Sequence, residues 1–423
     1  MEKLPFELKQ RVCSFLQADP KLLKPIRLVS KQFADAAAPY LLPHIFLVKH
    51  RDSCAEVREI ADHAIFSKHI TTLIVDPSNL KNHKSFQKRV AVKKVTKALR
   101  KSQEHYWKAQ RQIAAYQSTE EFRRCLDTIA YAFKVCPNLV NIVIAPPQPG
   151  QNHVILKLLS MFKSIHPHPD AWVDAELHDP FEFGLAEVLS AADHKNAGLN
   201  SLTIINLPFK CADYTEVDSF KSFKHLKHVR IGYNRLPNNP EAMFGFNLEE
   251  AIGKANVLET IWIEMPPHAR DVFNGDATLH ALNSKFLRDV ILGNIAVTEN
   301  ALVNFLLRHT QSLQQFDICG LTLSAGSWTS TFKRISCQMT SLKRVQIVEI
   351  FEMEAGQKVS PYTFKWWSEA PEFILNGGVL PDPLPSDKDE DEDDKDYEFS
   401  VRQLDLPEEG LWKDYDNNMN FGI

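Results

Sequence analysis

The chain has 423 residues, 44% hydrophobic and 24% charged, with a formal net charge of −4, the profile of an ordinary globular protein with room for two to four domains. No apolar run approaches the roughly 18 residues of a membrane span, and Met1-Glu2-Lys3 leads into an amphipathic stretch rather than a secretory signal. Seven cysteines without a CxxC pair exclude a disulfide framework and a zinc ribbon, which leaves an intracellular chain, cytoplasmic or nuclear, with reduced thiols.

The first element is LPFELKQRVCSFL, Leu4 to Leu16. Pro5 suits a first helical turn, where its missing N–H costs nothing, and Leu8, Val12, Phe15 and Leu16 recur at helical spacing on one side. Asp19 can cap a second helix beginning at Pro20, with Leu22 and Leu23 as its apolar side. A third runs from Ile26 to Ala38, where Pro39 discourages continuation. About forty residues bury only a modest fraction of their surface, so this helical unit must lean on a neighbouring domain or on another chain.

The run Leu4-Pro5-x-Glu7-Leu8, Val12, Phe15-Leu16, Asp19, Leu23, Arg27-Leu28-Val29-Ser30-Lys31-x-Phe33 resembles the F-box, the helical module that docks on the Skp-family adaptor of cullin-RING ubiquitin ligases. The resemblance covers about the first 46 residues. It implies that Leu4, Pro5, Leu8, Val12, Leu16, Leu28 and Val29 grip the adaptor, while Phe15 and Phe33 hold the three helices together. Cys13 stands where the family tolerates many residues.

Beyond this point one pattern recurs eight times, apolar-x-x-apolar-x-apolar: ITTLIV from Ile70, LVNIVI from Leu139, LNSLTI from Leu199, LKHVRI from Leu226, LETIWI from Leu258, LRDVIL from Leu287, LQQFDI from Leu313 and LKRVQI from Leu342. The alternation predicts strands, and helical segments such as Glu299 to His309 and Trp328 to Ser336 lie between them, so strand and helix repeat as in a parallel sheet. The last five copies are spaced 26 to 32 residues apart, within the range of leucine-rich repeats, whose leucines form a buried ladder. The ladder asparagine appears cleanly only as Asn234. A doubly wound open sheet is the alternative, but its glycine-rich phosphate turn is missing after every candidate strand.

An F-box followed by degenerate leucine-rich repeats, with the segment SAGSWTSTFKRIS at Ser324 to Ser336, is similar to a large group of filamentous-fungal F-box proteins. The fold so implied is α/β: an all-α F-box over residues 1–48, then an irregular leucine-rich-repeat solenoid over 49–380 with its helices on the convex side, and an acidic disordered segment with a C-terminal tail over 381–423.

In a parallel sheet the ladder residues enter the core, and the alternate positions share the open face. Those are Thr203, Arg230, Trp262, Ile291, Asp317 and Gln346, with His228, Thr260, Asp289, Gln315 and Arg344 one step before. The candidate target-binding residues are His228, Arg230, Trp262, Glu264, Asp289, Asp317, Arg344 and Gln346. Trp262 is either the hot spot of this face or a packing residue beneath an inserted loop or the C-terminal segment. A broad shallow arc fits a protein surface or peptide rather than a small metabolite.

Two charged segments stand apart. Lys81 to Arg111 is strongly basic with Val90, Val92, Val95 and Leu99 interspersed, an expected helical insertion near 81–118. It reads as a solvated helix, a nuclear import signal or a surface that steers an acidic partner; nucleic acid is not expected, since aromatics are few. Ser386 to Glu398 is acidic and nearly free of apolar residues, and so is expected to be disordered. After it, Val401 to Tyr415 regains apolar residues that suit packing on the repeats or on a partner.

No catalytic motif with a nucleophile elbow, zinc-binding HExxH or phosphate loop is present. His166, His168 and Asp170 offer metal-ligand atoms, but the intervening prolines make an irregular loop, and neither a metal nor a cofactor is expected. The sequence therefore reads as a non-catalytic substrate receptor of a Skp-cullin-F-box ubiquitin ligase. An adaptor-bound scaffold without ubiquitin transfer is the alternative.

Overall fold

The computed structural model describes residues 4–16, 20–48, 51–76, 79–80, 119–144, 178–179, 185–192, 198–207, 223–233, 248–265, 275–354, 357–359 and 364–380. These fall into two compact units, one within Met1–Ala197 and the other within Gly198–Asp405. Both combine helices with parallel strands. The basic stretch 81–118, the His166, His168 and Asp170 loop, Asn234 and the acidic segment with its tail lie outside the described residues.

The first unit opens with α1 (Phe6–Phe15), α2 (Pro20–Ile26) and α3 (Lys31–Leu41). Their core is Cys13, Leu23, Phe33, Ala36, Ala37 and Leu41, with Leu16 and Ile26 packed against it. Ser30 starts α3 by accepting a hydrogen bond from the Phe33 backbone N–H at 3.2 Å, so Ile26 closes α2 instead of opening a third helix. Pro39 does not stop α3, which continues to Leu41; its missing N–H leaves only the Asp35 carbonyl without its helical donor, a loss of one bond near the helix end. Phe15 is 75% exposed and takes no part in the helical core, where Cys13 stands in its place.

His44–Val48 forms strand β1, inside the stretch read as wholly helical. It pairs in parallel with β2 (Thr72–Asp76), which pairs in turn with β4 (Asn141–Ile144). Two-residue strands β3 (Asn79–Leu80) and β5 (His178–Asp179) make a separate antiparallel pair. Helices α4 (Arg51–Asp62), α5 (Thr119–Val135) and α6 (Leu185–Ala192) complete this unit. The first two pack together, with Arg58 Nε donating to Thr128 Oγ1 at 3.3 Å.

In the second unit, β6 (Ser201–Leu207), β7 (His228–Tyr233), β8 (Thr260–Glu264), β9 (Asp289–Gly293), β11 (Gln315–Cys319) and β13 (Arg344–Val348) lie side by side, all parallel. Helices α7 (Leu248–Gly253), α8 (Gly275–Ala281), α9 (Glu299–Arg308) and α10 (Trp328–Ile335) connect them, and α11 (Phe364–Asn376) follows β13. All eight copies of the sequence pattern are strands. Their leading residues explain why: Leu199, Leu226, Leu258, Leu287 and Leu313 are at most 1% exposed, so each anchors its strand before the alternation begins.

A second, smaller sheet was not apparent in the sequence. After β9, β11 and β13 the chain turns a corner at Asn294, Gly320 and Glu349, all with φ between 50° and 65°. It then forms β10 (Ala296–Thr298), β12 (Thr322–Ala325) and β14 (Phe351–Glu354), paired in parallel, with β15 (Gln357–Val359) antiparallel at the end. The three corners recur at the spacing of the leucines. Glycine suits this left-handed backbone, and Asn294 makes use of it: its buried side chain donates from Nδ2 to the Met265 carbonyl at 2.9 Å, linking the end of β9 to that of β8.

Candidate functional site

Two surfaces stand out, one in each unit. On α1, Leu8 and Val12 are spaced by four residues and share one helix face; Leu4 stands just before the N-cap Pro5, and all three are 37–46% exposed. Pro5, Leu28 and Val29 are exposed as well. Leu16, also expected at the adaptor, is partly buried against the helical core. The bundle is thus closed on one side by Cys13, Leu23 and Phe33 and left apolar and open on the other. Lys9, one residue after Leu8, is fully buried; its ammonium donates to Gln32 and lies 5.6 Å from the Phe33 ring centroid, tying α1 to α3. No apolar spacing announces such a residue.

On the sheet of the second unit, strand pairing aligns the open-face residues in the rows expected. His228, Thr260, Asp289, Gln315 and Arg344 are register partners, as are Thr203, Arg230, Trp262, Ile291, Asp317 and Gln346. Glu264 begins a third row between Gly232 and Gly293.

These residues differ sharply in access. Trp262 is 8% exposed and Asp317 is fully buried, so neither is the open contact expected from its position. The Arg230 guanidinium lies 3.2 Å from the Trp262 ring centroid and covers the indole. Burial pushes Arg230 down to about 10, partly opposed by Glu264, and the group stays charged at neutral pH. His228, Arg230, Glu264, Asp289, Arg344 and Gln346 are all partly exposed.

Polar contacts join the rows. Thr260 Oγ1 donates to Asp289 Oδ2 at 3.1 Å, Gln315 Nε2 to Asp317 Oδ2 at 2.6 Å, and Arg344 to Gln346 Oε1 at 2.8 Å. Arg344 also stands 3.7 Å from Asp317 Oδ2. Burial raises the Asp317 carboxyl above its ordinary range, against the pull of Gln315 and Arg344. Burial likewise lowers His228, which favours a neutral imidazole. Asp317 Oδ1 and Trp262 Nε1 are buried without a hydrogen-bond partner.

The helix ends of this unit carry a relay that sequence reasoning missed. Asp276, in the first turn of α8, accepts from the Thr298 backbone N–H at 2.7 Å and from its hydroxyl at 2.8 Å. One repeat later Glu299 accepts from the Ser327 N–H at 3.0 Å, the Ser330 hydroxyl at 2.5 Å and Arg334 at 2.9 Å. Thr298 and Ser327 are the N-caps of α9 and α10. An acid at the start of one helix thus supports the cap of the next, where it also faces the positive helix end. The signal was present in sequence as an acid near each helix start, one repeat before a Ser or Thr cap.

SAGSWTSTFKRIS is part of this relay. Gly326 has φ +96°, and a Cβ there would fall 2.4 Å from Glu299. Trp328 is fully buried, with its Nε1 donating to the Phe351 carbonyl at 2.9 Å. The segment's distinctive residues are accounted for by packing and capping.

Among the described residues no three His, Cys, Asp or Glu side chains gather as metal ligands would, and no helix is long and apolar enough to cross a membrane. Neither the models of known protein families nor the curated proteins compared with the chain match it.

Proposed function

We propose that the chain is a substrate receptor of a Skp-cullin-F-box ubiquitin ligase, with residues 1–48 as the F-box and the repeats as a leucine-rich-repeat solenoid that holds a target protein. The observation that carries this reading is the open apolar side at the start of the bundle, where Leu4 just before α1 and Leu8 and Val12 on it remain exposed while the same helix buries Cys13. Leaving three aliphatic side chains in water is unfavourable by roughly 25 cal/mol per Å² of apolar area, and a second polypeptide removes that cost. The resemblance of Leu4 to Phe33 to the F-box names the polypeptide as a Skp-family adaptor and, through it, cullin.

The recurring strand, left-handed corner, short strand and helix supports the solenoid, because each repeat leaves an apolar flank that the next one covers. The target is then met by the partly exposed residues His228, Arg230, Glu264, Asp289, Arg344 and Gln346. Trp262 and Asp317 act from beneath, the indole supporting Arg230 and the carboxylate holding Arg344. The chain contributes proximity and orientation: it turns the meeting of a target lysine and a ubiquitin-charged enzyme into a local event.

Substituting Leu8→Asp tests the first half. Capture of a purified Skp-family adaptor should fall below detection, with the circular dichroism spectrum unchanged because the side chain is exposed. Undiminished capture would falsify the F-box assignment. A cullin in the complex purified with the wild-type chain supports ligase function, and an adaptor complex that consistently lacks cullin supports the scaffold. Arg344→Glu, with adaptor capture intact, should lower recovery of proteins that co-purify through the repeats.

A further inference from the structure

Among the described residues the parallel sheet of the second unit ends at β13, whose apolar flank is incompletely covered. Leu226, Leu258, Leu287 and Leu313 are at most 1% exposed, and Val229, Ile261, Val290 and Phe316 at most 2%. The matching Leu342 and Val345 of the β13 repeat are partly exposed. Among the described residues β13 has a strand neighbour on one side only, β11.

The connection to a further strand is in place. Helix α7 leads into β8, α8 into β9, α9 into β11 and α10 into β13. Helix α11 packs against β13 and α10 as the next crossover helix would, and ends at Gly377 and Gly378, both with left-handed backbone. No strand follows it among the described residues. The sequence there reads Pro381-Asp382-Pro383-Leu384-Pro385, and three residues without an N–H cannot supply a regular ladder.

Farther on stands VRQLDL, Val401 to Leu406. Its spacing is that of the repeat strands, apolar-x-x-apolar-x-apolar. Beside LQQFDI of β11 it also carries the same glutamine at the third position and the same aspartate at the fifth: Gln403 answers Gln315, and Asp405 answers Asp317.

We propose that Val401–Leu406 docks as a parallel strand on the free edge of β13, in the register that β13 keeps with β11. Gln403 then lies beside Arg344, Leu404 beside Val345, Asp405 beside Gln346 and Leu406 beside Ile347. Val401 and Leu404 cover the flank left open at Leu342 and Val345, and Leu406 extends that cover beside the buried Ile347. Arg344 already stands 3.7 Å from Asp317, one strand away and one step along. Asp405 takes the mirror position on its other side, so the guanidinium bridges two carboxylates. Residues 381–400 span roughly 65–70 Å when extended, far more than the step of about 4.8 Å to a neighbouring strand, and a connection through α11 has the right-handed sense open to such crossovers.

The test uses the full chain with the exposed Cys337 replaced by Ser. Gln346→Cys with Asp405→Cys places two thiols on neighbouring strands, at a Cα separation that a disulfide spans. Gln346→Cys with Leu404→Cys is the control, since a slip of one residue turns the second thiol to the opposite face. Under diamide, an intramolecular link between positions 346 and 405, mapped by mass spectrometry, should form at least tenfold faster than in the control. Removing residues 401–423 should speed amide exchange at Val345–Val348 at least tenfold and leave β8 and β9 unchanged, which shows that the sheet itself stays folded. Equal rates for the two cysteine pairs, a link formed mainly between two copies of the chain, or unchanged exchange in β13 would each overturn the proposal. None of these outcomes depends on adaptor binding.

Discussion

Glu299 holds together two repeats with one carboxylate, and the consequence can be read in its titration. Burial raises its proton affinity, but the hydrogen bonds from Ser330, Arg334 and the Ser327 N–H outweigh that and hold it below its ordinary value of 4.5. A depressed carboxylate stabilises the fold above its unfolded pKa and loses that contribution as pH falls through the folded value. Urea midpoints should therefore drop below about pH 4.5, and Glu299→Gln should flatten that part of the profile. Glu299→Ala should cost about 1–3 kcal/mol at neutral pH, since it strips a helix cap of its support and leaves buried donors unmatched.

Asp317 behaves in the opposite sense. Burial raises its carboxyl, so the ionised form is disfavoured in the folded state, and stability falls as pH rises from 3.8 through the raised folded value. Asp317→Asn keeps an acceptor for Gln315 and removes the buried charge, and should raise the urea midpoint at pH 7. A lower midpoint would mean that the Arg344 contact outweighs burial. A carboxylate retained against stability on the face read as target-binding fits a residue kept for what it positions.

At the scale of elements, the N-terminal helices separate packing from display. Phe33 is 3% exposed and Phe15 is 75% exposed. Phe33→Ala should cost about 3–5 kcal/mol in urea denaturation, and Phe15→Ala less than about 0.5 kcal/mol, although the sequence pattern treats the two alike. The difference was illegible because a helix of this length, amphipathic along Leu8, Val12 and Phe15, does not say whether its stripe faces its own bundle or another chain. Cys13, read as unimportant, turned out to carry the buried side. The repeat strands were legible for the converse reason. A leading leucine followed by strict alternation has one low-energy arrangement, and all eight copies adopt it. Strands β10, β12 and β14 escaped because each follows a left-handed corner that only Gly320 advertises, and β1, which carries the repeat pattern as LPHIFL from Leu42, because it lies in the stretch read as helical. On the candidate site, register was readable from alternation, but burial was not: nothing in the spacing of Trp262 or Asp317 reveals that neighbouring side chains close over them.

For the molecule as a whole, the second unit is built so that each strand pairs with the strand of the next repeat, and the helix caps are linked one repeat at a time by Asp276 and Glu299. Contacts of this kind couple nearest neighbours and leave distant repeats to communicate only through those between them. Phe316, on β11, lies between Val290 of β9 and Val345 of β13 in the register and is 2% exposed. Phe316→Ala should lower stability by about 3–5 kcal/mol. Its effect should be graded along the sheet: amide exchange accelerates most in β11, next in β9 and β13, and least in β7. A uniform acceleration from β7 to β13 would show instead that these five strands open as a single cooperative block, in which case a target bound at Arg344 would also protect the amides of β7.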